Sequence, residues 1–204
     1  MKILGIVGSM RKGRNTETLV RRVLDGMATR NPAISTEIVY TADLDCRPCR
    51  VVCHPRFCTN DLFRCSIQDD VADVLAKMRE ADAVVLGSPH YFRGPPAGFH
   101  ALIERLISMA FFYESAGGSR ERSPLAGTPC GLVAVAQYSN PQSILEYLHD
   151  ACRLLGMQPV SLSKFPYLGI GGHGNLEADD VFRPLEQAED LAVHLLQAVC
   201  PSSP

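Results

Sequence analysis

A chain of 204 residues with 46% hydrophobic content can bury one sizeable core. A formal net charge of −2 and the absence of Trp leave no footprint for nucleic acid or an anionic membrane surface. The early apolar patch is broken at Gly5 and is too short for a signal peptide or a membrane span. These features predict one cytoplasmic domain over residues 1–204 with small-molecule partners, no nucleic acid and no membrane.

Ile3, Leu4, Ile6 and Val7, bounded by Gly8, predict a short buried strand. Thr16-Glu17 then open a helix with Leu19, Val20, Val23, Leu24 and Met27 on one face. The loop between them, Gly8 to Thr16, holds backbone N–H groups, two hydroxyls, Asn15 and three cations near the positive end of a helix dipole. Such a loop suits a phosphate. It has neither the Gly-Lys-Ser/Thr ending of a nucleoside triphosphate loop nor the spaced glycines of a dinucleotide fingerprint.

Ile34 to Tyr40 alternates as a second strand. Thr41 to Gln68 shows no period, and a loop of that length in a compact domain is functional or disordered more often than not. Five of the eight cysteines, Cys46, Cys49, Cys53, Cys58 and Cys65, fall inside it. In a reducing compartment, clustered thiols point to metal or redox chemistry. Cys130, Cys152 and Cys200 lie in apolar elements and read as small buried hydrophobes without a role.

Asp69-Asp70 begin a helix with Val71, Val74, Leu75 and Met78 on one face, the carboxylates suiting its N-terminal dipole. Ala83 to Leu86 is the third strand, broken by Gly87-Ser88-Pro89, and Phe99, Leu102, Ile103, Leu106, Ile107 and Ala110 mark an amphipathic helix. After a polar stretch from Ser115 to Ser123 come a strand at Cys130 to Ala136 and a helix from Ile144 to Leu155 stopped by Gly156. A fifth strand is predicted at Val160 to Leu162, irregular chain from Phe165 to Asn175, and a last helix from Val181 to Val199.

Five strands alternating with five helices predict an α/β fold in which a parallel, doubly wound sheet is covered on both faces. For the strand order 2-1-3-4-5 the ligand crevice lies between strands one and three, where the loops Gly8 to Thr16 and Gly87 to Gly94 meet. The second loop offers aromatic faces, a hydroxyl and backbone donors, which suit a flat heteroaromatic ring. Phosphate on one loop and ring on the other describe a mononucleotide such as FMN.

Gly8-Ser9-Met10-Arg11 with Asn15-Thr16, Cys65-Ser66-Ile67-Gln68-Asp69-Asp70 closing the Cys-rich loop, and Gly87-Ser88-Pro89-His90-Tyr91-Phe92 stand in a shared order and spacing. Together they resemble the NAD(P)H-dependent FMN reductases of flavodoxin-like fold, and more narrowly their iron-sulfur flavoprotein branch. The resemblance implies a flavodoxin-like three-layer sandwich. It implies that Ser9, Arg11, Asn15 and Thr16 hold the FMN phosphate, and that Ser88, Pro89, His90, Tyr91 and Phe92 line the isoalloxazine ring. After the fourth strand this chain has Gln137-Tyr138-Ser139-Asn140-Pro141 where family members often carry a Gly-rich loop.

The same resemblance implies a [4Fe-4S] cluster on the Cys-rich loop, with Cys46, Cys49 and Cys65 as matched ligands and Cys53 preferred to Cys58 as the fourth. Arg47, Arg50, Arg56 and Arg64 would offset its negative charge. No catalytic side chain is assigned, because a flavin performs the redox chemistry and the protein binds, orients and tunes it. The expected activity is electron transfer from NAD(P)H through FMN. The alternatives are a non-enzymatic FMN/Fe-S carrier serving a redox partner protein and a Cys-rich metal-binding module. The apolar run into Phe111-Phe112-Tyr113 predicts burial by another subunit, hence a homo-oligomer, dimer or tetramer.

Overall fold

The computed structural model describes residues 1–50, 65, 67–109, 123–174 and 182–200. Strand β1 (Lys2–Val7) leads into helix α1 (Asn15–Arg30) and β2 (Ser35–Tyr40), followed by a 3₁₀ turn at Thr41–Asp43. Next come α2 (Val71–Glu80), β3 (Ala83–Pro89), α3 (Ala97–Arg105), β4 (Pro129–Ala136) and α4 (Gln142–Leu154). Two short strands, β5 (Gln158–Pro159) and β6 (Ile170–His173), precede the last helix α5 (Pro184–Val199). The expected cysteines Cys53 and Cys58, the arginines Arg56 and Arg64, Ala110, Val181 and the apolar Phe111-Phe112-Tyr113 lie outside the described residues.

All strands pair in parallel in the order β2-β1-β3-β4-β5, with β6 also on β4. This is the doubly wound, flavodoxin-like arrangement. Period-two alternation sorts the strand side chains between two cores. Leu4, Ile6, Val84, Leu86 and Leu132 face α2, α3 and α4, packing against Met78, Phe99, Leu102 and Leu148. Ile3, Val7, Val85 and Val133 face α1 and α5, packing against Leu19, Val23, Leu191 and Leu195. Each helix seals one side of the sheet with an apolar stripe, which is why the strands read as continuous hydrophobic runs. Among the described residues no helix is long and apolar enough to cross a membrane.

The fifth position of the sheet departs from expectation. The predicted strand Val160 to Leu162 is only the exit of β5: Val160 donates to the Cys130 carbonyl at 2.8 Å, and Leu162 already turns to the Tyr167 carbonyl. The chain then returns as β6, inside the stretch expected to be irregular, and pairs Ile170–His173 with Val133–Ala136. Gly169 permits the return, because a Cβ there would collide with the Leu132 carbonyl. Cys130 and Cys152 are fully buried as expected, whereas Cys200 is exposed at the end of α5, its thiol 3.5 Å from the Met1 sulfur.

Candidate functional site

The carboxyl ends of β1 and β3 touch. Gly8 donates its N–H to the Gly87 carbonyl at 2.7 Å, and a Cβ on Gly8 would stand 2.6 Å from the Phe99 ring. Glycine is therefore required where the two loops diverge. Beyond them lies a cavity of about 360 Å³, within the range of small-ligand sites. One wall is Ser9, Arg11, Arg14, Asn15 and Thr16; the other is Pro89, His90 and Tyr91, with Val135, Gln137 and Gly174 closing the far side.

The phosphate-loop candidate is stitched by its own side chains. The buried Ser9 hydroxyl accepts the Arg11 N–H at 3.2 Å and donates to the Arg11 carbonyl at 3.0 Å. Gly13 turns the chain with φ +68°, and its N–H donates to Glu17 Oε2 at 2.6 Å. Glu17 also accepts from Arg21 Nε at 2.8 Å and from the Tyr40 hydroxyl at 2.7 Å. Burial raises its pKa, but the Gly13 N–H, Arg21 and Tyr40 together outweigh burial and hold the carboxyl below its ordinary value.

The three cations of this loop divide. Lys12 pairs with Asp43 and sits 4.8 Å from the Tyr40 ring centre, tying the loop to the turn after β2. Arg11 and Arg14 line the cavity. Arg14 is also the N-cap of α1 and makes no side-chain capping bond, so the helix start faces the cavity without a side-chain cap. The Asn15 side-chain amide donates to the Gly174 carbonyl, joining the loop to the end of β6.

On the opposite wall, His90 N–H donates to the Val135 carbonyl at 2.8 Å. Its ring is 2.6 Å from the Ser139 hydroxyl at Nδ1 and 3.4 Å from Ser143 at Nε2. Burial first, then the Arg93 charge, lower its pKa and favour the neutral imidazole. Tyr91 and Gly94 exchange backbone bonds of 2.8 and 2.9 Å around a tight turn, with Phe92 at φ +46° and Arg93 at φ +66°. Positive φ at both central residues is the type I′ pattern, and it leaves the Phe92 ring fully exposed.

Of the residues predicted for this site, Ser9, Arg11, Asn15, Thr16, Pro89, His90 and Tyr91 converge on the cavity. Ser88 and Phe92 do not line it. Ser88 is fully buried and its hydroxyl donates to the Pro89 carbonyl at 2.9 Å; Phe92 stands at the tip of its turn. Arg14, Gln137 and Gly174 were not predicted. Arg14 was legible as one more cation before a helix, but Gly174 belongs to a glycine stretch with no helix directly after it, and only the β6 pairing brings it here.

The described start of the cysteine-bearing segment, residues 41 to 47, leaves β2 at the same edge and passes along α3. Its start lies beside Gly98, where a Cβ would be 3.9 Å from the Thr41 carbonyl; the Arg47 carbonyl accepts from Arg105 at 3.0 Å. Cys46 and Cys49 are half-buried and Cys65 is exposed. Burial, and next the Asp69 charge, push the Cys46 thiol up to about 11 against the pull of Arg105.

The ends of the segment are fastened together. Asp70 N–H donates to the Asp45 carbonyl at 3.0 Å, and Asp45 N–H donates to Asp70 Oδ2 at 2.7 Å. The Asp69 carboxylate, whose side chain is fully buried, accepts from Arg105 at 2.7 and 3.3 Å, from Arg47 N–H at 3.1 Å and from Val71 N–H at 3.2 Å. Among the described residues no three His, Cys, Asp or Glu side chains form a group able to hold a metal ion. Of the described cysteines, Cys46 and Cys65 interact by charge with the buried Arg105 guanidinium, and their sulfurs are soft ligands.

A phosphate-suited helix start and an aromatic wall, facing each other at the switch point of a 2-1-3-4-5 sheet, define a mononucleotide-binding protein of flavodoxin-like fold. The family described as NADPH-dependent FMN reductase matches residues 1–166, and the chain belongs to it. It is accordingly a flavin oxidoreductase by family. Among curated proteins it is 42% identical over 204 residues to an iron-sulfur flavoprotein of Methanocaldococcus jannaschii, covering 98% of this chain and 97% of that one. Its fold is similar to RosB, solved with 8-demethyl-8-formylriboflavin-5'-phosphate, at TM-score 0.71 and 16% identity, over 98% of this chain and 79% of that one. It is also similar to a flavodoxin, WrbA-like protein of Agrobacterium tumefaciens, at TM-score 0.63 and 16% identity, over 99% of each chain.

Proposed function

We propose that this protein is an FMN-dependent oxidoreductase that takes electrons from NAD(P)H, with a cysteine segment that would hold a [4Fe-4S] cluster able to accept electrons singly. The observation that carries the reading is the cavity where Ser9, Arg11 and Arg14 face His90 and Tyr91 across the β1/β3 switch point. The family description and the name of the 42% identical relative support it. So does the flavin phosphate bound by the structurally similar RosB.

Bound FMN would supply a hydride acceptor able to give up electrons one at a time. The chain supplies the rest. Arg11, Arg14, the Ser9 and Thr16 hydroxyls and the N–H groups at the start of α1 would bind the phosphate dianion. Asn15, already engaged with Gly174, closes the cradle and does not carry charge to it. Pro89, His90 and Tyr91 would orient the ring. Cys46, Cys49 and Cys65, with Cys53 as fourth, would hold the cluster. A homo-oligomer would cover the exposed Ile107.

The test is anaerobic mixing of FMN-loaded protein with NADPH and, separately, NADH. Rapid bleaching of the flavin by either nucleotide supports the enzyme. A flavin that binds yet bleaches only with a partner's electrons makes the protein a carrier, and failure to retain FMN removes the reading altogether.

A further inference from the structure

Arg105 is a residue that neither the flavin cavity nor the apolar core requires. It is the last residue of α3, only 5% exposed, and among the described residues its guanidinium bonds lead to the two ends of the cysteine segment. One guanidinium nitrogen donates to the Arg47 carbonyl, 58 residues earlier, and also to Asp69; a second nitrogen donates to the other Asp69 oxygen. Asp69 in turn accepts the Arg47 N–H. The peptide groups of Arg47, between Cys46 and Cys49, are thus gripped on both sides by one buried ion pair. Both Cys46 and Cys65 lie close enough for their charge to act on Arg105.

A pair buried this deeply gains little net stability from its attraction once desolvation is counted. A wholly apolar contact would hold α3 as well. What the pair does that apolar contacts could not is fix two chain ends in register and leave a positive charge beside two sulfur atoms. Closing a flexible loop costs entropy, and a fastened base removes part of that cost before any ligand binds.

We propose that Arg105 is the positioning residue of the cysteine segment, pinning both its ends to α3 and standing as the buried cation against a thiolate-bound centre there. The pinning stands on the bonds described; the role of the charge rests on the cluster reading of the proposed function.

The test compares Arg105→Met, which removes fork and charge, with Arg105→Lys, which removes the fork alone. FMN affinity within threefold of the parent certifies the fold of each; should the Met variant fail it, the Lys variant carries the exchange measurement. Hydrogen exchange at the Arg47 and Val71 amides is expected to quicken at least tenfold in both variants, and unchanged exchange overturns the pinning. In cluster-loaded protein the midpoint potential of the centre should move negative in Arg105→Met, since an anionic site without its cation is harder to reduce, and return toward the parent value in Arg105→Lys. An unmoved potential in the Met variant overturns the role of the charge. Parent protein without iron and sulfide after anaerobic reconstitution sinks the cluster reading, while the exchange rates still decide the pinning.

Discussion

The phosphate-loop candidate and the cysteine segment leave adjacent strands at the same edge of the sheet, yet they are built in opposite ways. From Gly8 to Thr16 the turn itself is shaped by near neighbours, Ser9 bonding Arg11 and Gly13 bonding Glu17 in the next turn, while Lys12 to Asp43 and Asn15 to Gly174 moor the finished loop to other elements. The cysteine segment is held from afar, by Asp69 and by Arg105, 58 residues beyond the carbonyl it grips. A site made of local bonds can be read along the sequence. One made of distant bonds is visible only when the fold brings its parts together.

That contrast can be broken most sharply at the distant pair. Asp69→Ala leaves the Arg105 guanidinium buried without its carboxylate and should cost about 3–5 kcal/mol of stability. Urea unfolding measures it, and a loss well under 1 kcal/mol would mean that water or another acceptor reaches Arg105. Arg11→Ala acts on the local site. It should leave unfolding nearly unchanged but weaken FMN binding by about 1.5–3 kcal/mol, on the order of ten- to a hundredfold in Kd. An unchanged flavin titration would remove Arg11 from the cradle and leave Arg14 as its cation.

A smaller effect is expected with pH. Glu17 has a folded-state pKa below its ordinary value, so its contribution is present above the unfolded value and is lost as pH falls through the folded one. Stability should therefore decline on acidification below about pH 4.5, where an ordinary Glu titrates. Glu17→Gln should flatten that limb, which thermal melts across the acid range would detect. The smallest change is Phe92→Gly. It relieves a left-handed backbone worth about 1–2 kcal/mol but adds freedom to the unfolded chain, so stability should move by less than about 1 kcal/mol. FMN affinity should be unchanged, because Phe92 does not line the cavity.

The fold was legible because its signals are periodic. Val71, Val74, Leu75 and Met78 spell the buried face of α2, and the structure buries those four residues. Gly156 was read as a helix stop, and it follows α4 with φ +74°. The split fifth position was not legible, since β6 is four residues long and its return depends on how Gly169 meets a carbonyl of β4. Asp69-Asp70 were read as carboxylates at a helix start. That is half of their role, because Asp69 does accept the Val71 N–H, but its ion pair with Arg105 leaves no trace in local sequence. In the cavity, the loops after β1 and β3 announced themselves by composition, whereas Gln137 and Gly174 arrive through pairing of β4 with β6.

The central claim is that the cavity between the β1 and β3 loops holds FMN and passes it electrons from a pyridine nucleotide. Its most direct test is the visible spectrum of FMN-reconstituted protein during anaerobic titration with NADPH, run beside Arg11→Ala and Arg14→Ala. The account predicts one FMN per chain, bleached stoichiometrically by the nucleotide, with occupancy reduced in both variants. Protein that retains no flavin, or retains it equally well without either arginine, would contradict it.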